Sequence, residues 1–292
     1  MNKPFPLPVR AIGPGSQAEE DELQYLAMPR DMPTFAMPRV PEAVPPDALA
    51  AARDLLAAFL AAYERWDPAS GTPGPRLDLT GVPEATLAIV NEMLGEGEVS
   101  IQVGGASPHR IQESVFTGVW RVCALDGDGR LASDAIEAAP VPDVALAIAR
   151  AAGAERIAPV EIPPGAMNSP ALLAEIGAQL ADRRHGVAPH VLNLTLFPLT
   201  PDDHQVLERA LPAGPVSMIS RGFGNCRITS TTARDVWWVQ YFNSMNTLIL
   251  NTIEIVDVPE VALAAVEDLV DSRARLAELI EWMDSSIVDA TH

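Results

Sequence analysis

The chain has 292 residues, 48% hydrophobic but only 5% aromatic, so aliphatic side chains and alanine must fill its core. A formal net charge of −19 excludes a general nucleic-acid binder and opposes docking on an anionic membrane surface. With only Cys123 and Cys226, a disulfide scaffold is excluded and a reducing compartment fits; no apolar run reaches the roughly 18 residues of a membrane span, so a cytoplasmic location is expected.

Residues 1–46 read as an N-terminal arm, rich in Pro and Met, with an acidic patch Glu19-Glu20-Asp21-Glu22 and two Met-Pro-Arg triplets. Proline at that density denies both helix and central strand. From Pro46, the spacing of Leu49, Ala52, Leu55, Leu56, Phe59 and Leu60 predicts a helix that ends before Asp67-Pro68. A short strand at Leu77-Asp78-Leu79, a helix over 85–94 and a strand over 99–103 follow. Next come a Gly104-Gly105 loop and a long strand from Arg110 to Leu125. Asp126-Gly127-Asp128-Gly129 is a hairpin signal, leading to a strand over 132–139 and a helix opened by Pro142. Beyond it the pattern predicts a helix over 170–184, a strand over 191–197 and a helix capped at Thr200-Pro201-Asp202-Asp203. Strands over 216–220, 227–243 and 247–256 precede a long final helix from about Pro259, striped by Leu269, Leu276, Ile280 and Met283.

The chain also resembles itself at a constant offset of 117 positions. Val119-Trp120-Arg121-Val122 returns as Val236-Trp237-Trp238-Val239, and Val141-Pro142-Asp143-Val144-Ala145 as Val258-Pro259-Glu260-Val261-Ala262. The expectation is an α+β fold of two tandem pseudo-symmetric repeats, residues 47–155 and 156–292. Each is expected to be a largely antiparallel sheet covered by helices on one side, with Trp120 and Trp237 anchoring two cores.

Chemistry is sparse. The densest candidate is Arg221-Gly222-Phe223-Gly224-Asn225-Cys226-Arg227, where glycines permit close approach and two arginines flank a cysteine whose pKa they can lower. Cys226 aligns with His109, but two potential ligands make no structural metal site, and a packing role is the simpler expectation. Trp238, which replaces Arg121, and Tyr241 complete a candidate partner-binding surface. Glu137 and Glu254 recur as paired carboxylates, for acid–base work or for shared hydrogen bonding. His185, His190 and His204 read as solvated surface residues, and no catalytic, metal or cofactor constellation is expected.

Longer words go further. Gly13-Pro14-Gly15-Ser16-Gln17, Ile111-Gln112-Glu113-Ser114-Val115-Phe116, Arg221-Gly222-Phe223-Gly224-Asn225-Cys226-Arg227-Ile228-Thr229 and Leu248-Ile249-Leu250-Asn251-Thr252-Ile253-Glu254 resemble the HupH/HyaF/HoxQ family of hydrogenase expression/formation proteins. The resemblance spans almost the whole chain. It implies an accessory chaperone in [NiFe] hydrogenase maturation, acting on the iron–sulfur small-subunit precursor with its twin-arginine signal peptide, beside a thioredoxin-like partner. The alternative it leaves open is a redox or iron–sulfur-handling factor using Cys226. A third is an enzyme with a cleft uniting Glu137, Glu254, His109 and Cys226.

Overall fold

The computed structural model describes residues 45–221 and 225–290; nearly all of residues 1–46 and the Gly222-Phe223-Gly224 segment lie outside them. Helix α1 (Pro46–Glu64) starts on a proline and buries Leu49, Ala52, Leu56, Phe59 and Tyr63 at helical spacing. Strand β1 (Arg76–Asp78) and helix α2 (Glu84–Leu94) lead to β2 (Val99–Val103), β3 (His109–Glu113), β4 (Val119–Leu125) and β5 (Leu131–Ala138). Then come α3 (Asp143–Ala152), α4 (Ser169–Ala181), β6 (His190–Asn193) and α5 (Pro201–Ala210). Strands β7 (Ala213–Ser220), β8 (Asn225–Thr231), β9 (Val236–Phe242) and β10 (Leu248–Ile255) precede the long α6 (Val266–Ala290).

All ten strands form one sheet in the order β1-β5-β4-β3-β2-β7-β8-β9-β10-β6, with every pairing antiparallel. The fold is α+β, with a large antiparallel sheet and a long C-terminal helix. At the centre, β2 pairs with β7: Ile101 faces Met218, flanked by Val99 opposite Ser220 and Val103 opposite Val216. Ile101 and Met218 stand 117 positions apart, and the register is symmetric about them. Local bonds recur at the same spacing. Trp120 Nε1–H donates to Ala139 O at 2.8 Å, and Trp237 Nε1–H to Val256 O at 3.1 Å.

Several expectations change. The strands expected at 110–125 and 227–243 are each two strands joined by a tight turn. In the first turn Ser114 Oγ accepts from Phe116 N–H at 3.1 Å and Gly118 takes a φ of 78°. In the second Thr231 Oγ1 accepts from Ala233 N–H at 3.1 Å and Asp235 takes a φ of 58°. A side-chain hydroxyl supplies turn chemistry in both, joined in the first by a glycine and in the second by an aspartate at positive φ. The strand expected at 191–197 stops at Asn193, whose side chain accepts from Thr195 N–H and opens a single 3-10 turn. The last helix begins at Val266, because the segment after Pro259 spends itself in a 3-10 turn over Glu260–Ala262.

Helices lie on both faces, not one. Strand alternation sends Trp120 and Val122 to a central apolar face shared with Ile101, Val216, Ile228, Trp237 and Val239, against Ala145 and Ala149 of α3. Both tryptophans therefore sit in a single central cluster instead of anchoring two cores. Arg121 points the other way, where it ion-pairs with Asp134 and donates to Asn91 Oδ1 of α2 at 2.8 Å. On that second face α1, α2 and α6 pack on Ile136 and Ala138 of β5, while α4 and α5 pack on Ile253 and Ile255 of β10. An interior sheet whose both faces are apolar somewhere must be covered on both.

Candidate functional site

A cavity of about 880 Å³ opens between α4, the irregular segment 155–162 and the β8–β9 turn. Helix α4 builds one wall because it carries two apolar stripes. Leu172 and Ile176 are buried towards the sheet, while Pro170, Leu173, Ala174, Gly177, Leu180 and Ala181 line the cavity. The helix is pinned at its start by Asp203 of α5, whose carboxylate accepts from Asn168 N–H, Ser169 N–H and Ser169 Oγ–H at 2.8–2.9 Å. The same carboxylate closes a capping box with Thr200, as the Thr-Pro-Asp-Asp pattern predicts. Burial pushes the Asp203 carboxyl up, but those donors outweigh it and hold it well below the usual range. The opposite wall, Glu155 to Ile162, hangs from the β8–β9 turn: Ala154 N–H donates to Thr232 O and Arg234 N–H to Ala154 O, both at 2.8 Å.

The lining is cationic in an acidic protein. Arg156, Arg183, Arg184 and Arg234 face the cavity against only Glu155 and Asp235. Arg183 Nη2 ion-pairs with Asp257 Oδ1 at 3.0 Å, and neither it nor the buried Arg183 Nε has a hydrogen-bond acceptor among the described residues. Arg234 Nε is in the same condition. Beside the cavity, His185 Nδ1 stands 2.6 Å from Asp257 Oδ1, and His185, Asp235 and Asp257 bring ligand atoms within 4.8 Å of one another. Arg150 reaches Asp235 and Asp257 at 3.7 and 3.6 Å. With two arginines on these carboxylates, the trio works as an ion-pair network in preference to a cation site. Burial raises the Asp257 carboxyl, but Gly186 N–H, His185 and Arg183 together lower it. His185 is thus tied into a network, and His190 Nε2 sits 2.8 Å from Glu175 Oε1.

The residues singled out in the sequence lie elsewhere. Arg221 follows the end of β7 and Asn225 begins β8, while Gly222, Phe223 and Gly224 lie outside the described residues. Cys226 is 3% exposed in the central cluster, and burial pushes its thiol up to about 12, against any lowering by the flanking arginines. Arg227 points to the opposite face, 5.8 Å from the Phe242 ring centroid. Tyr241, paired across the strands with Cys226, is half-buried, and burial followed by that thiol pushes its phenol up to about 12. Trp238 packs against the α4–α5 cluster and donates Nε1–H to Leu211 O at 3.1 Å. Asn251, 117 positions after Asp134, has a buried Oδ1 with no hydrogen-bond donor among the described residues.

No cleft unites the residues of the enzymatic alternative. Glu137 and Glu254 sit on the second and ninth strands of the sheet order, roughly 33 Å apart at the usual strand spacing. His109 and Cys226 are three strands apart and at opposite ends of the central register. Sequence alone gave little access to the cavity, because its walls come from three separated segments. The two available signals were a glycine inside a helix and the Arg183-Arg184 pair after it.

Comparison with known proteins is consistent along the chain. The sequence profile of the family described as "HupH hydrogenase expression protein, C-terminal conserved region" matches residues 49–158 and again 166–283. The hydrogenase expression/formation protein HoxQ of Cupriavidus necator is 44% identical over 96% of this chain and 99% of its own length. HupH of Rhodobacter capsulatus is 42% identical over 95% and 98%. The hydrogenase-1 operon protein HyaF of Escherichia coli is 36% identical over 71% and 73%. No helix among the described residues is long and apolar enough to cross a membrane.

Proposed function

This chain belongs to the HupH family of hydrogenase expression/formation proteins, and we propose from that premise that it is a non-enzymatic assembly chaperone in [NiFe] hydrogenase maturation. Its client is the iron–sulfur small-subunit precursor, held in the cytoplasm before export, in company with other maturation proteins including a thioredoxin-like one. The observation that carries this reading is identity of 42–44% to two proteins named for hydrogenase expression/formation, matched across nearly their whole length. Affinity capture of the tagged chain from cells making hydrogenase tests it. The small-subunit precursor should be retained with its signal peptide intact. Recovery of the mature subunit alone, or of no hydrogenase subunit, refutes the reading.

The chain is further read as two tandem copies, 47–155 and 156–292, joined edge to edge by β2 and β7. Supporting this are the family profile that matches twice, the symmetric Ile101–Met218 register and the recurrent tryptophan bonds. Glycines at equivalent positions add to it. A Cβ on Gly97 would come within 2.2 Å of Ser114 O, and one on Gly214 within 2.7 Å of Thr231 O.

A further inference from the structure

Helix α6 lies along α1 and packs Leu269, Leu276, Ile280 and Met283 into the cluster that holds Leu56, Phe59 and Tyr63. Polar contacts fix its direction as antiparallel. Tyr63 O–H donates to Leu269 O at 2.7 Å, and the Arg53 guanidinium holds Asp284 at 2.6 and 2.9 Å. Helices α1 and α4 end 117 positions apart, at Glu64 and Ala181, so the stripe equivalent to α6's seat is the one lining the cavity. There Leu56, Leu60 and Tyr63 become Leu173, Gly177 and Leu180. At the same offset α6 corresponds to residues 149–173, where α3 stops at Ala152 and the chain runs as the irregular segment 155–162 that forms the other cavity wall before α4 begins at Ser169. Gly153 passes so close to the β8–β9 turn that a Cβ would come within 2.6 Å of Arg234 Cα, and no helix among the described residues continues over α4.

Three observations point to an external occupant for this seat. Of the four buried side-chain polar atoms without a hydrogen-bond partner among the described residues, three belong to Arg183 and Arg234 on its lining, one of them, Arg183 Nη2, ion-paired with Asp257. Four arginines gather there in a chain of net charge −19. Gly177 sits within α4 where a Cβ would touch nothing, so the backbone itself is open to close approach. A helix roughly 10 Å across rises about 5.4 Å per turn, so the cavity of about 880 Å³ takes roughly two turns.

We propose that the groove along α4 seats an amphipathic helix of a partner protein as α1 seats α6, with carboxylates in that helix's first turns on Arg183, Arg184 and Arg234. Antiparallel seating brings the incoming N-terminus to the arginines at the end of α4. The template already carries the matching charge, since α6 opens with Glu267, Asp268 and Asp271. The proposal rests on the duplication, not on which hydrogenase subunit the protein serves.

A fluorescein-labelled peptide of residues 264–285 of this chain serves as probe, titrated by anisotropy into the full-length protein. No hydrogenase component is present, so the result is independent of the precursor capture. Saturable binding is expected, weakened at least tenfold by Gly177→Leu, which fills the groove from a position with open space. On the unaltered protein, a peptide carrying Lys in place of Glu267, Asp268 and Asp271 should bind at least tenfold more weakly. That arm keeps the test decisive if Gly177→Leu unfolds the protein. Absence of binding overturns the proposal. So does equal binding by the unaltered protein and a folded Gly177→Leu variant, which would place the peptide in the seat of α6 on α1.

Discussion

Glu113 gives the sharpest test of the electrostatics. It ends β3, is 5% exposed, and accepts the Gly118 N–H at 3.0 Å where the chain turns into β4. Burial, with smaller contributions from Glu98 and Asp268, pushes its carboxyl from 4.5 up to about 7, despite hydrogen bonds from Gly118 and Val99. Between those values the folded state holds a proton that the unfolded chain has released. Stability therefore falls as pH rises from about 4.5 to about 7 and stays reduced above, a total of about 3 kcal/mol. Glu113→Gln removes the titration. It also loses the acceptor for Val99 N–H, but that cost is independent of pH and cancels between conditions. Urea unfolding of both proteins at pH 5.5 and 8.0, clear of the pI near 4.5, isolates the effect. The stability difference should move by about 2 kcal/mol in the variant's favour between the two pH values. A difference that does not change with pH would refute a buried, proton-holding Glu113.

Three further outcomes follow from the packing. Tyr63→Phe leaves Leu269 O without its buried donor and should lower stability by about 1–3 kcal/mol, read from the urea midpoint at unchanged slope. Gly97→Ala drives a Cβ to within 2.2 Å of Ser114 O and should cost about 3 kcal/mol or more, whereas Gly177→Ala meets nothing and should stabilise by about 0.5–1 kcal/mol; thermal melts of the pair in the reverse order would contradict both placements. At pH 8, iodoacetamide should modify Cys226 in the native protein many-fold more slowly than in 6 M urea, since the buried thiol is pushed up to about 12; equal rates by mass spectrometry would mean that the strand is open.

Local patterns carried much of the fold into view. Alternation marks β2 at its true bounds, the Asp-Gly-Asp-Gly turn joins β4 to β5, and Pro142 and Thr200 stand at helix starts. The turns at Ser114 and Thr231 stayed hidden because each combines one hydroxyl with a single positive-φ residue, Gly118 or Asp235, between strand-like runs. The two-sided placement of helices was hidden too, since strand periodicity says which residues share a face, not what covers them. For the candidate site the gap is wider. Motif density drew attention to Cys226 and Trp238, whose polar atoms are engaged inside the fold. The cavity depends on Arg183 and Arg234 meeting across fifty residues of intervening chain, a proximity without sequence period.

The position of α6 has a consequence for biosynthesis. Leu269, Leu276 and Met283 complete a cluster begun by Leu49 and Leu56, and the bond from Tyr63 to Leu269 spans 206 positions. During synthesis α1 emerges about 200 residues ahead of α6, so its apolar surface stays open until α6 has been made. Reciprocally, α3 from the earlier half lies over β7 of the later one. A nascent chain halted before Val266 would expose the open flank of α1 and α2 and should bind holdase chaperones, so the two halves of the fold mature together.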